Sequence, residues 1–484
     1  MKKNDWWKTA TREEIEAYQG KQLHWYLKNR IIPFTSHYKK VFEENNLTPN
    51  DIKSVHDLRK IPFTHKRMFD NPRDFVIIPE EEVLKKQKST LLKVLKHGPK
   101  GVKDVLDREL RPIFMTSTTG RSSEPVPFTY TQHDIATLEE CGRRIADLAQ
   151  AKQDYKMVNA FPFAPHLAFW QGHYTSIGMN MFTLSTGGGK TMGTDGNCRV
   201  ISKINPEAII AMPTFMYHLM QHAVELGLKW DNLKVLVMGG EKVPTGMRRK
   251  LQELTAALGA PKINVVSTYG FTEAKMVFVE CITGNHDEQS GYHLYPDKCI
   301  VEVVDPDTGI PVPDNTGGEI VYTSLDARGT SVLRYRTGDI IENGITWEPC
   351  PHCGSTAPRL MGKISRVSDI RRLNISKLKG NLVDFNKLEH LLDDNKDLGA
   401  WQIEIRKQND DPLAVDELIV HIVPMEKGNE ETLATIIKRH MRQETEITPN
   451  EVMIHTWAEM RELQGVGREL KEQKVVDNRP RLDT

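Results

Sequence analysis

An aromatic ring, a hydroxyl and a carboxylate fall close together in Asn264-Val-Val-Ser-Thr-Tyr-Gly-Phe-Thr-Glu273, at Tyr269, Thr272 and Glu273. A flat ring beside an oxygen pair at the C-terminal end of a strand can stack on an adenine and hold a phosphate-bound Mg²⁺. Taken alone, the decapeptide reads more simply as a strand end followed by a polar loop. Three other stretches supply the missing chemistry. Phe114-Met-Thr-Ser-Thr-Thr-Gly-Arg-Ser-Ser-Glu-Pro125 reads as a hydroxyl-dense loop around Gly120, able to turn Thr116, Ser117, Thr118, Thr119 and backbone N–H groups toward a polyphosphate. No Gly-Lys-Ser/Thr ends it, so it is not a Walker loop. Gly239-Gly-Glu241 and Tyr335-Arg-Thr-Gly-Asp339 each pair a permissive glycine with a carboxylate.

The elements that must position these residues follow from periodicity. From 156 to 270 strand and helix patterns alternate: strands at Met157 to Phe163, Ala208 to Met212, Leu233 to Met238 and Ile263 to Ser267, helices at Phe215 to Leu226 and Thr245 to Leu258. Such alternation predicts a parallel sheet with ligands beyond the C-terminal ends of its strands. Gly239-Gly240-Glu241 and Tyr269-Gly270 both fall at such ends, and Gly270 is expected to allow a tight turn and close backbone approach. Thr131 to Asp134 reads as a capping box opening a helix with Ile135, Leu138, Ile145 and Leu148 inward. Beyond 276 the period becomes two, with antiparallel strands at Cys299 to Val304 and Glu319 to Thr323. Trp401 to Arg406, Leu418 to Val423 and the helix Glu431 to Arg442 describe a small C-terminal α/β unit. Residues 1–70 read as helices, and the Lys- and Glu-rich 80–104 stretch as a solvated helix face.

Composition bounds the class. At 484 residues, 39% apolar and 27% charged, the chain is a globular protein of two or three domains. Lys plus Arg equals Asp plus Glu at 65 each, so no global field draws it to nucleic acid or an anionic membrane. The first residues lack a signal core, and no run approaches the ~18 apolar residues of a membrane span. Six cysteines in this length do not form a disulfide framework. A cytoplasmic location with reduced thiols is the expectation, and the oligomeric state stays open.

In this order, Thr116 to Gly120, Gly239 to Glu241, Ser267-Thr-Tyr-Gly-Phe-Thr-Glu273 and Tyr335 to Asp339 resemble the adenylate-forming superfamily of acyl-CoA synthetases. The branch they look most like is the phenylacetate–CoA ligase family. The likeness runs from Ile32-Pro-Phe to Val475-Val-Asp-Asn-Arg479. It implies an α/β fold: a large N-terminal domain (1–366) with a mostly parallel sheet and a β subdomain at about 276–360, then a small mobile C-terminal α/β domain (367–484). It implies joining of a carboxylic acid to AMP from ATP, release of pyrophosphate, and transfer of the acyl group to a thiol, most simply CoA. Thr116, Ser117, Thr118, Thr119 and Gly120 would close over the outer phosphates. Ser267, Thr268 and Gly270 would build the seat that Gly240, Glu241 and Tyr269 frame around the adenine. Thr272 would lie by the α-phosphate, Glu273 on Mg²⁺ and Asp339 on the ribose hydroxyls. Arg366 looks like the neighbour of Asp339, Asp369 like the hinge residue, and Lys471 like the mobile catalytic lysine. The chain departs from the family at Thr118, Ser365 and Leu470, where glycines are usual, and its phosphate loop carries Arg121 but no later lysine. A carrier-protein acceptor and a weakened nucleotide- or acyl-binding homologue are the rival expectations.

Cys350-Pro-His-Cys353 has the spacing of a zinc knuckle, and equally of a redox pair. Cys281, His286, His293 and Cys299 precede it. Some members of the family have a structural zinc joining these regions, which implies Cys281, Cys350, Cys353 and His293, ahead of His286, as ligands, with His352 a bystander. An aromatic wall at Phe161, Phe163, His166, Phe169 and Trp170 suits an aryl or other flat apolar acid.

Overall fold

The computed structural model describes residues 5–118, 125–285, 287–366, 377–378, 381–382, 385–408, 416–425, 430–445, 448–466 and 473–479. Thr119, Gly120, Arg121, His286, Asp369, Leu470 and Lys471 lie outside them.

A hairpin of β1 (Pro112–Ser117) and β2 (Pro127–Thr131) precedes the main sheet. The Gln132–Leu148 helix starts from a reciprocal capping box between Thr131 and Asp134 and buries Leu138, Ile145 and Leu148. Then come β3 (Met157–Asn159), β4 (Thr183–Ser185), β5 (Ala208–Ala211), β6 (Val235–Met238) and β7 (Asn264–Phe271), which run parallel in the order β4-β3-β5-β6-β7. All four residues of β5 are buried, as expected of a strand covered on both faces.

The chain then reverses. Thr272–Ala274 forms one 3₁₀ turn, Lys275 takes a left-handed φ of 56°, and β8 (Met276–Val279) returns antiparallel to β7. A reversal this tight leaves the next strand no place but alongside its predecessor. β9 (Tyr292–His293) continues the large sheet. The chain leaves it for β10 (Cys299–Val304), β11 (Gly318–Ser324) and β12 (Tyr335–Ile341), returns for β13 (Ile345–Thr346) and β14 (Arg359–Leu360), and leaves again for β15 (Ile364–Arg366). The nine-stranded sheet is therefore mixed, and the region after 276 is not one separate β unit: β10, β11, β12 and β15 alone form the second, four-stranded antiparallel sheet. Both sheets share one apolar core, from Trp7 to Leu360.

A short hairpin, β16 (Lys377–Leu378) with β17 (Asn381–Leu382), precedes a second core built from Leu388 to Met441. This core lies on a four-stranded sheet of β18 (Leu398–Lys407), β19 (Asp416–Pro424), β20 (Glu451–Ile454) and β21 (Val475–Asp477), with helices Phe385–Asp393, Glu430–Thr445 and Trp457–Leu463. The C-terminal unit rests on the helices after β5 and β6. Lys242 pairs with Glu389 at 3.1 Å, His218 Nε2 lies 3.1 Å from Gln464 Oε1, and Trp457 meets the Tyr217 ring.

Candidate active site

β7 organises the site by its two-residue period. It does not turn at Gly270, as expected from sequence, but continues through Phe271. The close approach is real: a side-chain carbon on Gly270 would lie 2.8 Å from Val277 Cγ2 on β8. One face of β7 carries Ser267 and Tyr269. The Ser267 hydroxyl lies 3.1 Å from that of Tyr292, and the Tyr269 hydroxyl donates to Asp339 Oδ2 at 2.8 Å. Thr268 and Gly270 face the other way and line a cavity.

The carboxylate side joins both sheets. Asp339, on β12, is buried; besides Tyr269 it holds Arg366 Nε, 3.1 Å from its Oδ1. Burial and the Asp339 charge push the Tyr269 phenol well above its usual range, so it remains a donor. From the same β12, the Tyr335 hydroxyl donates to Glu273 Oε1 at 2.7 Å. Burial lifts the Glu273 carboxyl above its ordinary pKa against the Tyr335 hydrogen bond, and Asp339 adds to the lift. A carboxyl raised by desolvation gains from an added positive charge, so Glu273 is suited to meet a divalent cation. Thr272 opens the same turn and stays partly exposed.

The cavity, about 100 Å³, is lined by Phe161, Leu167, Ala168, Ile210, Val237 and Gly239 among others, with Gly240, Thr268, Gly270 and Val277 at the β7 side. Its walls are apolar apart from Gln171, Thr175 and Thr268. Gly239 permits this geometry: a Cβ there would sit 2.2 Å from Thr268 Oγ1. Only Phe161 of the five expected aromatics lines the cavity. Phe169 is buried between Phe163 and Trp170, whose ring edges it meets, and His166 Nδ1 lies 3.0 Å from the Ser117 carbonyl oxygen.

Other expected residues are placed differently. Thr116 and Ser117 belong to strand β1 rather than to a loop. Thr116 is fully buried with its hydroxyl 3.1 Å from that of Tyr130, so it braces the hairpin. The alternation of a strand, not loop geometry, decides that orientation. Thr118 accepts from the Val126 N–H and closes the base of the loop. Glu241 accepts from the N–H and hydroxyl of Thr214, at the start of the Pro213–Glu225 helix. Sequence reading missed Lys275, buried and paired with Asp134 at 3.0 Å, and gave Tyr335 no role of its own. A lysine two residues after Glu273 was the available signal for the first.

Away from this centre, Cys281, His293, Cys350 and Cys353 bring their ligand atoms within 4.8 Å of one another. Cys281 and Cys350 sulfurs lie 3.6 Å apart, and His293 Nε2 lies 3.3 Å from Cys353 Sγ. His293 Nδ1 faces the Val279 carbonyl at 3.3 Å, the usual outer partner of a metal-ligating imidazole. Cys299 stands apart, its thiol directed to the Tyr295 carbonyl.

A core parallel sheet with glycine-lined strand ends and a C-terminal α/β unit match the architecture expected of an adenylate-forming enzyme. The AMP-binding enzyme family matches residues 145–329. Phenylacetate-coenzyme A ligase of Thermus thermophilus is 27% identical over 379 residues, 76% of this chain and 74% of that protein. The Pseudomonas putida phenylacetate-coenzyme A ligase is 26% identical over 380 residues, with the same coverage of 76% and 74%. The crystal structure of 2-hydroxyisobutyryl-CoA ligase in the postadenylation state with R3-HIB-AMP has the same fold, at TM-score 0.76 and 20% identity over 98% of this chain and 92% of that one. These matches support the adenylate-forming, phenylacetate–CoA ligase-like family of AMP-forming acid–thiol ligases.

Proposed function

We propose that the protein activates a flat, apolar carboxylic acid, aromatic in preference, to its acyl-adenylate and passes the acyl group to CoA. The observation that carries this reading is the pairing of Glu273 with Tyr335 and of Asp339 with Tyr269, which ties β7 and its turn to β12 next to an apolar cavity lined by Gly239, Gly240 and Gly270. A weak carboxylate nucleophile must be set against an α-phosphate, so positioning and charge neutralisation dominate such a reaction. In this reading Glu273 carries Mg²⁺, which, when bound, neutralises phosphate charge. Asp339 accepts from the ribose hydroxyls, and the segment from Thr118 to Gly120 covers the outer phosphates. Gly240, with Tyr269 at one remove, bounds the adenine, and Arg366 holds the second oxygen of Asp339. Lys471 acts as the mobile catalytic lysine of the C-terminal domain (367–484). The cavity takes the acid's tail, and its apolar walls favour an aryl group over a charged one.

Cys281, His293, Cys350 and Cys353 are proposed to hold a structural zinc: the donor set is tetradentate and closed, and the imidazole has its outer partner. The zinc would pin the segment after β8 to the Cys350–Cys353 loop.

Incubation with ATP, Mg²⁺, CoA and a panel of acids, followed by mass spectrometry, tests the reading. AMP and an aryl-CoA thioester are expected; ADP, or AMP without any thioester, would overturn the assignment of CoA as acceptor.

A further inference from the structure

Lys275 takes a left-handed backbone conformation, φ 56° and ψ 24°, which a side chain with a Cβ rarely adopts and which glycine or asparagine ordinarily fills. It is also buried, at 5% exposure. Its ammonium lies 3.0 Å from Asp134 Oδ2, donates to the Thr129 carbonyl at 3.1 Å and sits 4.9 Å from the centre of the Tyr130 ring. Asp134 is equally enclosed, at 4%, and also accepts from the backbone N–H groups of Thr131, Arg328 and Gly329 at 2.9, 2.9 and 2.8 Å. The pair thus ties three segments together. One is the turn Thr272–Ala274 with Glu273, closed by the Lys275 N–H on the Thr272 carbonyl at 3.2 Å. The second is the end of β2, whose Tyr130 braces Thr116 at the root of the hydroxyl-rich loop. The third is the 328–330 loop, which leads into β12 with Tyr335 and Asp339.

We infer that the buried Asp134–Lys275 ion pair is a positioning device that fixes Glu273 relative to the β1–β2 hairpin and to β12, setting the affinity of Glu273 for Mg²⁺–ATP. The inference rests on the reading of Glu273 given above. Neither side chain lines the apolar cavity. A lysine serves here because it is long enough to carry its charge from the turn to Asp134, and because an ion pair with extra hydrogen bonds fixes one geometry where an apolar side chain would allow several.

The test is calorimetric titration of ATP into the full-length protein over a range of Mg²⁺ concentrations, with melting curves alongside, for wild type, Lys275→Met and Asp134→Asn. The Mg²⁺ concentration that half-maximally tightens ATP binding should rise about tenfold in Lys275→Met, as for loss of an outer-shell partner, and in the same direction in Asp134→Asn. ATP binding without Mg²⁺ should not change. A purely structural pair would lower the melting temperature and leave the Mg²⁺ dependence unmoved, and that result in either folded variant overturns the inference. Asp134→Asn keeps the size of the side chain and one of the two oxygens that accept from the backbone N–H groups of Thr131, Arg328 and Gly329, so it decides the matter if Lys275→Met does not fold. Wild-type protein that binds no ATP with Mg²⁺ would remove the reading of Glu273 and this inference with it. Wild-type binding with unshifted variants would remove the inference alone.

Discussion

Tyr269 and Asp339, seventy residues apart in the chain, meet through a 2.8 Å hydrogen bond that joins the central strand of the large sheet to the second sheet. The phenol holds one carboxylate oxygen and Arg366 approaches the other, so the orientation of Asp339 is set before any ligand arrives. Preorganisation of this kind is worth most in a water-poor site. Tyr269→Phe should raise KM for ATP several-fold and leave kcat within about twofold, because only part of the about 1.5–3 kcal/mol of a hydrogen bond to a charged group passes on to the ligand that Asp339 orients. Asp339→Ala should lower kcat/KM for ATP by at least about 100-fold, since two acceptor oxygens disappear together. Steady-state kinetics on both variants check this; equal losses would place Tyr269 on the ligand directly.

Glu273 carries a stability cost that Glu273→Gln should relieve. Burial raises its folded-state pKa above the unfolded value, so the folded state binds the proton more tightly. The stability from that extra proton is present at low pH and is lost as pH rises through the folded-state pKa. At neutral pH the wild type therefore holds an ionised carboxylate at a disadvantage. Glu273→Gln, which still accepts from Tyr335, should melt higher than wild type at pH 7 and show a flatter melting profile just above pH ~4.5. Its activity should fall about 100-fold or more. A lower melting temperature at pH 7 would contradict the desolvation account.

The C-terminal unit docks on a buried neutral imidazole. Burial pushes His218 down to about 4, and Arg461 and Lys474 add to that against Glu225 and the Gln464 contact. A depressed histidine contributes stability above its unfolded pKa of about 6.5 that is lost as pH falls through about 4. Acidification over that window should loosen the contact with Gln464, and His218→Gln should flatten the pH dependence. Limited proteolysis between the two units across pH 4–7 measures it; identical profiles for both proteins would contradict it.

The proposed zinc site makes a separate demand. Protein purified without a histidine tag should carry about one equivalent of zinc, and Cys350→Ser should lose it and melt well below wild type, as for a closed structural site. Less than half an equivalent in wild type would sink the proposal.

Much of this fold was legible because β5, β6 and β7 are short apolar runs separated by helices of ordinary length, a pattern that admits a parallel sheet and little else. Gly239-Gly240 announced itself just past the end of β6 for the same reason. The misreadings have local causes. Gly270 suggested a turn, but its missing side chain serves the β7–β8 approach, and the turn falls at Lys275, which propensity would not choose. Thr116 looked like a loop residue because hydroxyls are dense around it, whereas strand pairing with Phe128 turns it inward. The helix Gly188–Ile204 was hidden by its six-residue start, Gly188-Gly-Lys-Thr-Met-Gly193, where glycine breaks the period and Gly193 takes a φ of 63°. Asp134 read only as a helix cap, since its partners Lys275, Arg328 and Gly329 are distant in sequence.

The cavity's dimensions set a specificity prediction. Ala168 and Val277 line it from opposite elements, and Ala168→Phe should fill most of its 100 Å³. The preferred acid should become smaller, with kcat/KM for the original substrate falling about 10-fold or more while KM for ATP stays unchanged. Unchanged acid preference would move the acyl site elsewhere.

Acid-dependent exchange of labelled pyrophosphate into ATP tests the central claim most directly, because it reports formation of the acyl-adenylate without requiring any thiol. The wild type should catalyse exchange with at least one aromatic acid, and Glu273→Gln and Asp339→Ala should each abolish it while remaining folded. Exchange that survives in both variants, or no exchange with any acid, would contradict the assignment of this centre as the seat of adenylation.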